Sequence, residues 1–395
     1  MPENEACPEL FWVRNSSMNE RKGVHKIMAY NTLTEREAFY CLCHVPGFGS
    51  ATIGKLRERF GTYQAVWTAK EQEIQKAGAL TEKRVMVFLQ AREQESAWLK
   101  EFYGLERTGI RFIAEGDTDY PERFLPYKDR PAALFVKGNL PENEVPAVAI
   151  VGARACTEYG KEAAGFYAGE LANAGVNIIS GMAAGVDGCA HRGAIERGKP
   201  TYAVLGCGVN ICYPRENYKI FHAMEENGGI LSEFVPGTRP VAMNFPLRNR
   251  IISALADAVI IIEAREKSGS LITADFALEQ GKEVFALPGR ANDPLSGGCN
   301  RLIQGGASLL LSPSDVLEFL GMKYERKLTI HKFSQNRLAK NENLVYASVD
   351  SRPRHLEEVA ASCGLSMPEC MEALLKLELA GLIFGTGNQY YKKAE

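Results

Sequence analysis

The feature that most limits the fold of this chain is a series of seven short apolar runs between residues 146 and 320, separated by segments with helical spacing. Buried strands that alternate with helices are typical of a parallel sheet covered on both faces. The pattern predicts an α/β fold, a Rossmann-like doubly wound parallel sheet in a domain at 106–320. The predicted strands are 148–151, 176–180, 201–205, 230–232, 258–262, 283–287 and 308–311.

The sequence before this domain predicts a disordered extension over 1–30 and a helical domain, similar to SAM or helix-hairpin-helix domains, over 31–105. The run GSATIGK at 49–55 is close to the P-loop pattern, but Leu56 replaces the magnesium-binding Ser or Thr and no buried strand precedes the glycines. With the preceding residues 45–48, the run instead suggests a helix-hairpin-helix turn. Such a turn either binds a DNA phosphate through backbone N–H groups or forms a structural corner, and both alternatives stay open.

The sequence after the central domain predicts a polar linker over 321–343 and a winged-helix domain over 344–395. The second prediction rests on two helical segments followed by a hairpin with Gly385 and Gly387 at its turn. Winged helices often bind duplex DNA, but the helices of this domain carry several glutamates. A protein-contact or regulatory role is therefore supported at least as well.

Composition limits the class of protein. Hydrophobic residues make up 46% of the chain, yet no apolar run approaches the roughly 18 residues of a membrane span. No secretory signal opens the sequence, so a cytoplasmic location is expected. The ten cysteines form no Cys-x-x-Cys pair and are interpreted as reduced structural residues. Because residues 145–320 hold 15 Lys and Arg against 18 Asp and Glu, a nucleic-acid site there must be a local basic patch.

The run NFPLRNR at 244–250 has the side chains that suit a nucleic-acid strand. The ring of Phe245 can stack on a base, while Arg248 and Arg250 can donate hydrogen bonds to phosphate oxygens. The alternative is an arginine-rich helix start whose charges lie in solvent.

Small residues directly follow several of the predicted strands. They occur as Gly-Ala-Arg at 152–154, in the run SGMAAGVD at 180–187, and as Gly-Cys-Gly at 206–208. Small side chains let a ligand approach the backbone, and helix starts at the same edge of the sheet favour anions. The sequence therefore predicts a phosphate-binding groove, which the side chain of Arg154 can cross.

The case for an enzyme is weak. The Gly-x-Gly-x-x-Gly fingerprint of dinucleotide binding is absent after every predicted strand, and the sequence has neither a Cys/His metal cluster nor a Gly-x-Ser-x-Gly motif. Glu233 and Glu263 lie at strand ends, so hydrolysis stays an alternative. We interpret Asp187 as a helix cap and favour local packing over ligand binding for His191. No catalytic residue, cofactor or metal is predicted.

Six motifs in order complete the pattern: VGAR at 151–154, SGMAAGVD at 180–187 with His191, YPREN at 213–217, FPLRNRIIS at 245–253, SGSLIT at 268–273 and ALPG at 286–289. In this order they resemble the DNA-processing protein A (DprA/Smf) family, and the flanking domains fit its three-part layout. The resemblance implies a homodimeric protein that binds single-stranded DNA, protects incoming DNA and loads the RecA recombinase during natural transformation.

The resemblance also implies roles for individual residues. Arg154, Ser180 and Gly181 would contact the DNA backbone, Phe245 would stack on a base, and the segment 299–311 would form the dimer interface. The candidate nucleic-acid-binding residues are Gly152, Arg154, Ser180, Gly181, Met182, Lys199, Asn244, Phe245, Arg248, Asn249, Arg250, Lys267, Ser268, Gly269 and Ser270. The candidate dimer-interface residues are Asn300, Arg301, Ile303 and Leu309.

This chain departs from the family pattern at two places. Ala184 stands where the family often has arginine, and Val-Ala-Met at 241–243 stands where basic residues are frequent. The groove is therefore expected to be less positive than usual, with modest affinity. Candidate replacements for the missing charge are Lys199, Arg239, Lys267 and Arg290.

Two other functions fit the same fold. Phosphoribohydrolases of the lysine-decarboxylase-like type carry a Pro-Gly-Gly-x-Gly-Thr loop, and the run SGSLIT at 268–273 lacks that motif. A nucleotide-sensing module that switches partners cannot be separated from the strand binder by sequence. An exposed Phe245 beside an intact phosphate groove would favour the strand binder, whereas tight binding of a mononucleotide would favour the alternatives.

Overall fold

The computed structural model describes residues 33–322, 339–350, 352–379, 382–387 and 389–393. The chain divides near residue 324 into two compact units, which are described in turn. The extension predicted over 1–30 and most of the predicted linker lie outside the described residues. None of the helices in the described ranges has the length and apolar composition needed to cross a membrane.

The first unit begins with a group of short helices, which corresponds to the helical periodicity over 31–105. Thr34 and Glu37 form a capping box at the start of the first helix, and Gly61 ends the second with a φ of +84° that favours glycine. Ile53 and Leu56, three residues apart, are buried. In the described part of the segment the helices are α1 (Glu35–His44), α2 (Ser50–Phe60), α3 (Tyr63–Thr68), α4 (Glu71–Ala77), α5 (Glu82–Ala91) and α6 (Glu95–Gly104).

The corner between α1 and α2 is held by contacts within the first unit. The hydroxyl of Ser50 donates to the carboxylate of Glu233 and accepts from the backbone N–H of Ala132 at 2.7 Å. Arg84 donates to the carbonyl of Gly47. These contacts support the structural alternative for the corner, and its contact with a DNA phosphate stays an open alternative.

A sheet of nine strands among the described residues forms the centre of the first unit, in the order β1-β2-β6-β5-β4-β3-β7-β8-β9. The strands from β6 to β9 along this order are parallel, whereas β1 pairs antiparallel with β2 and β2 antiparallel with β6. All seven predicted strands are present, and the antiparallel β1 and β2 were not predicted. The strands are β1 (Ile110–Ala114), β2 (Ala133–Gly138), β3 (Ala147–Gly152), β4 (Asn177–Ser180), β5 (Thr201–Val204), β6 (Gly228–Ser232), β7 (Ala258–Ile262), β8 (Glu283–Ala286) and β9 (Ser308–Leu309).

Burial on both faces explains the continuous apolar runs. In β3, Val148 and Ile150 pack in one hydrophobic cluster, while Ala149 and Val151 pack in another, as alternating side chains of a strand must. All four are nearly or fully buried. The helices that accompany the sheet are α7 (Glu158–Asn173), α8 (Val186–Glu196), α9 (Tyr218–Glu226), α10 (Asn244–Leu255), α11 (Gly269–Glu279), α12 (Gly297–Gln304) and α13 (Pro313–Phe319).

The second unit has the element order of a winged helix: α14 (Lys340–Ser348), β10 (Arg354–His355), α15 (Leu356–Cys363), α16 (Met367–Leu379), β11 (Ile383–Gly387) and β12 (Tyr390–Lys393). Its strands pair antiparallel in the order β10-β12-β11 around a core of its own. Residues 340–343, assigned to the linker from sequence, instead form the start of α14. Gly385 lies within β11 and not at the turn, whereas Gly387 has the positive φ expected of a turn glycine.

Candidate nucleic-acid interface

The central candidate site is a groove at the carboxyl edge of the sheet, where β3 and β7 end side by side. The chain leaves β3 toward β4 and leaves β7 toward β8 on the opposite side, so this is the switch point at which doubly wound sheets bind ligands. The groove has a volume of about 600 Å³. The predicted residues that line it are Gly152, Arg154, Phe245, Arg248, Asn249, Lys267, Ser268, Gly269 and Ser270.

Most of the small residues at the strand ends are required by packing within the protein. A Cβ on Gly152 would lie 1.8 Å from the carbonyl oxygen of Ile262, and a Cβ on Gly181 would lie 2.7 Å from the guanidinium of Arg248. The structure therefore corrects the interpretation of these two glycines as room for a ligand. Gly269 differs, because a Cβ there would meet no atom of the described residues within 4 Å.

Arg248 forms part of the groove wall. Its Nη1 donates to the carbonyl of Gly181 at 2.6 Å and also to the carbonyl of Val204, so it ties the end of β4 to the end of β5. The side chain is buried, which lowers the pKa of Arg248 to about 10, although the carboxylate of Asp187 opposes that shift. Arg248 stays charged at neutral pH, but its predicted role as an exposed phosphate ligand is corrected to a structural one.

Asp187 is the buried anion of the same wall. Its Oδ2 accepts from the backbone N–H of Gly181 at 3.1 Å and of Ala183 at 3.3 Å. Burial raises the pKa of Asp187, while Arg248 and the two N–H groups act in the opposite direction. The helix α8 has already begun at the preceding residue, so Asp187 stabilises the loop after β4 and does not cap the helix as predicted.

His191 lies in the core, where it contacts the first residue of β5. Its Nδ1 is 2.8 Å from the hydroxyl of Thr201, which donates its own proton to the carbonyl of Ile178. The imidazole therefore donates from Nδ1. Burial, together with the charge of Arg248, lowers the pKa of His191 to about 3. These contacts support the packing interpretation of this histidine.

The remaining polar residues of the 244–250 run also hold the fold together. Arg250 donates through Nη2 to both carboxylate oxygens of Glu233, at 2.8 and 2.7 Å. It does not line the groove, so its predicted phosphate contact is replaced by an ion pair. Asn244 donates to the carbonyl of Gly206 at 3.1 Å, and Asn249 donates to the start of α11 at 3.1 Å. The whole run lies within the first turns of α10.

Three other predicted residues lie away from the groove surface. The hydroxyl of Ser180 is buried and donates to the carbonyl of Ile150 at 2.6 Å, which joins β4 to β3. Met182 is fully buried with a φ of +58°. Lys199 precedes β5 and lies at the amino edge of the sheet, opposite the groove, so it cannot replace charge there.

The ring of Phe245 is the central aromatic feature of the groove. It is partly exposed, with the ring of Tyr213 stacked beside it at 5.8 Å between centroids and 30° between planes. The Cζ of Arg154 lies over the ring, 5.1 Å from its centroid. An aromatic face next to a cation is the arrangement on which single-stranded nucleic acids stack.

Exposed cations line the groove next to this ring. Arg154 follows β3, while Arg265 and Lys267 follow β7, and all three are exposed. The start of α11 also lines the groove and is capped by the hydroxyl of Ser268, so backbone N–H groups add to the positive potential. Among the other replacements proposed from sequence, Arg239 is exposed near the groove lining and Arg290 lines a separate pocket.

Two residues with an aromatic or charged side chain, Tyr213 and Arg265, line the groove although they were not predicted as site residues. Tyr213 begins the motif YPREN at 213–217, and an aromatic side chain soon after the glycines at 206 and 208 is itself a signal of a stacking site. Arg265 follows the end of β7 by three residues, much as Arg154 follows the end of β3 by two. The same reasoning about strand ends would have found it.

The predicted dimer segment lies at the edge of the sheet that ends in β9. Asn300 exchanges hydrogen bonds with the backbone of the loop after β8, and Arg301 pairs with Glu266 at 3.0 Å. Ile303 is partly buried against the core, whereas Leu309 is exposed on the edge strand. An exposed leucine on an edge strand is compatible with the predicted interface.

The strand-end carboxylates are engaged in the fold. Glu263, which has a φ of +50°, accepts from the backbone N–H of Thr157 at 2.8 Å and from its hydroxyl, at the start of α7. Glu233 is paired with Arg250. Within the ranges that the structure describes, no group of three or more His, Cys, Asp or Glu side chains is arranged to hold a metal ion.

Comparison with known proteins adds to this geometry. The chain is 37% identical to Protein Smf of Escherichia coli over 83% of this chain and 90% of that protein. It is 44% identical to DNA processing protein DprA of Streptococcus pneumoniae over 51% of this chain and 71% of that protein. The X-ray structure of DNA processing protein A from S. pneumoniae matches with a TM-score of 0.62 and 33% identity, over 74% of this chain and 99% of that one.

Two family profiles match different parts of the sequence. The profile of the DprA winged helix domain matches residues 332–385. The profile described as DNA recombination-mediator protein A matches residues 111–321, which hold the whole groove. With the identity to Protein Smf over most of both chains, this match shows that the chain belongs to the DNA recombination-mediator protein A family.

Proposed function

We propose that this protein binds single-stranded DNA in the groove between the ends of β3 and β7. The observation that carries the proposal is the partly exposed ring of Phe245, set beside Tyr213 and Arg154 in the groove. Base stacking on an aromatic side chain contributes about 1 to 3 kcal/mol per base and tolerates any sequence. A duplex keeps its base faces covered, so a stacking site favours the single strand.

The phosphates of the strand are bound by the exposed cations of the groove in this proposal. Arg154, Arg265 and Lys267 supply the charge, and the backbone N–H groups at the start of α11 supply directional donors. Gly269 fits this role because a Cβ at this position would meet no packed neighbour within 4 Å among the described residues, so the backbone there is open to a ligand. The buried Arg248 and Asn249 keep the wall in shape.

The test is fluorescence anisotropy of a labelled poly-dT strand against the matching duplex at two salt concentrations, with a nucleoside monophosphate as competitor. We expect the protein to prefer the single strand over the duplex, to bind more weakly at the higher salt concentration, and to keep the strand bound when the monophosphate is added. Equal binding of both DNAs, or no binding, would overturn it. Displacement by the monophosphate without strand preference would favour the nucleotide-binding or phosphoribohydrolase-like alternative. The proposal includes no catalytic step, and the strand should be recovered intact.

We further propose that the protein acts in the cytoplasm as a homodimer that protects incoming DNA and loads RecA. Family membership supports this proposal, as do the exposed Leu309 and Leu311 at the edge strand. Light scattering should report a dimer whose mass falls to that of the monomer in Leu309→Asp. RecA loading should appear as faster RecA ATP hydrolysis on strands coated with single-strand-binding protein. A monomeric wild type would contradict the proposed homodimer. An unchanged rate of RecA ATP hydrolysis would contradict the proposed loading of RecA.

A further inference from the structure

The ring of Phe245 is not free in the DNA-free protein. The Cζ of Arg154 lies over it at 5.1 Å, within the range of a cation–π contact. A base that stacks on this face needs the space that the guanidinium occupies. The guanidinium and an incoming base therefore compete for one face of the ring. Because Arg154 and Phe245 line the same groove, their contributions to binding do not simply add.

Of the two arginines whose Cζ lies near the ring, Arg154 is the one that can leave. Arg248 has its Cζ 6.0 Å from the ring centroid but is buried and bound to two backbone carbonyls. A Cβ on Gly206 would lie 2.9 Å from the ring, so backbone closes that side. Arg154 is exposed on a long side chain, and within the described residues no carbonyl or carboxylate accepts a hydrogen bond from it.

From this geometry we infer that Arg154 covers Phe245 in the free protein and exchanges with a DNA base when a strand binds. The base takes the ring, and the released guanidinium turns to the phosphate beside it. A cation–π contact at an exposed site is weaker than a base stack, so the exchange favours a strand that carries bases. This inference rests on the proposed binding of single strands.

The exchange makes Arg154 a specificity-determining residue. A ligand that offers a phosphate but no base must break the contact between Arg154 and Phe245 without supplying a base stack in its place. Free phosphate, sugar phosphates and abasic strands are therefore disfavoured relative to a base-bearing strand. The groove distinguishes these ligands although its phosphate contacts are the same for all of them.

The test compares poly-dT with a strand of the same length made of abasic sites, using the full chain at low salt. On poly-dT, Phe245→Ala should weaken binding about 5- to 150-fold because the base stack is lost. On the abasic strand, the same variant should bind about two- to fivefold tighter than the wild type, because Arg154 no longer has a ring to leave. Phe245→Leu, which keeps volume but has no aromatic face, should show the same gain.

Phe166→Ala is the matched control, because Phe166 is an exposed ring on α7 outside the groove. This variant should bind poly-dT and the abasic strand as tightly as the wild type does. An abasic strand that binds Phe245→Ala equally or more weakly than the wild type would overturn the exchange. Unchanged poly-dT binding in Phe245→Ala would instead overturn the proposed function and the exchange together.

A double-variant cycle on poly-dT gives a second test. If the exchange occurs, Arg154→Ala alone clears the ring and Phe245→Ala alone frees the arginine, so each single loss is partly offset. The double variant should then lose more affinity than the product of the two single losses, by about two- to fivefold. A double loss equal to or smaller than that product would contradict the exchange.

Discussion

Two sets of cations in and around the groove have opposite roles. Arg248 and Arg250 are nearly buried and donate to carbonyls and to a carboxylate of the protein. Arg154, Arg265 and Lys267 are exposed, and no carbonyl or carboxylate of the described residues accepts a hydrogen bond from them. The comparison shows that a guanidinium is available to DNA only where the fold leaves its donors unused. An arginine in a motif is therefore not by itself a phosphate ligand.

The largest effect should come from the buried set. Removing the guanidinium in Arg248→Met leaves two backbone carbonyls without their donor and Asp187 without its nearby cation. Breaking a buried charge interaction from one side costs about 3 to 5 kcal/mol of unfolding free energy. Urea unfolding followed by circular dichroism measures this loss. Arg154→Ala, as the exposed counterpart, should stay within about 0.5 kcal/mol of the wild type. Equal losses of unfolding free energy in Arg248→Met and Arg154→Ala would contradict the distinction between buried structural arginines and exposed ones.

The next effect belongs to the exposed part of the groove. Phe245→Ala should weaken binding of poly-dT by about 1 to 3 kcal/mol because one base stack is lost. Anisotropy titration measures the affinity, and Phe166→Ala controls for loss of an exposed ring elsewhere. The unfolding free energy should change far less than in Arg248→Met. A binding loss that simply follows a loss of stability would place Phe245 with the buried set.

A smaller effect should come from the buried His191, which makes the unfolding free energy depend on pH. The pKa of His191 is about 3 in the folded protein, below its value of 6.5 in an unfolded chain. Below pH 6.5 the unfolded chain binds a proton that the folded protein excludes, so stability falls as the pH falls toward 3. The slope is roughly 1.4 kcal/mol per pH unit.

The measurement for this prediction is urea unfolding at pH 7.5 and pH 5.5. His191→Gln should lose about 1 kcal/mol less than the wild type between these two pH values, because one titrating group is gone. Binding of poly-dT should be unaffected, since His191 is buried and does not line the groove. An identical pH dependence in the variant and the wild type would show that folding does not lower the pKa of His191.

The smallest effect concerns the salt dependence of binding. Arg154→Ala, Arg265→Ala and Lys267→Ala should each flatten the log–log slope of affinity against salt by about 0.7, the value expected for one phosphate on a single strand. Arg250→Ala should leave the slope unchanged, because its charge is paired with Glu233. Titrations at four salt concentrations measure the slopes. A lower slope in Arg250→Ala would show that this ion pair opens on binding.

The seven parallel strands were predicted because burial on both faces requires continuous apolar sequence. The antiparallel strands β1 and β2 were missed. They are joined by an irregular segment without the tight-turn signal of a hairpin, and β2 pairs with β6. That pairing joins Phe135 with Ser232, nearly one hundred residues later, and only the folded sheet brings them together. Local sequence patterns therefore cannot predict the pairing of β2 with β6.

The sequence by itself determined the doubly wound fold and the groove at its switch point, because strand and helix periodicity depends on local burial. It also identified the aromatic ring of Phe245, because that prediction needs only the side chains of one local run. The tertiary structure decided which arginines are available. Arg248 donates to carbonyls 67 and 44 residues earlier in the chain, and Arg250 pairs with a carboxylate 17 residues earlier. These acceptors satisfy the guanidinium groups only after distant strand ends meet. The sequence therefore gives the positions of the arginines, but the packing of the folded protein decides which of them can bind DNA.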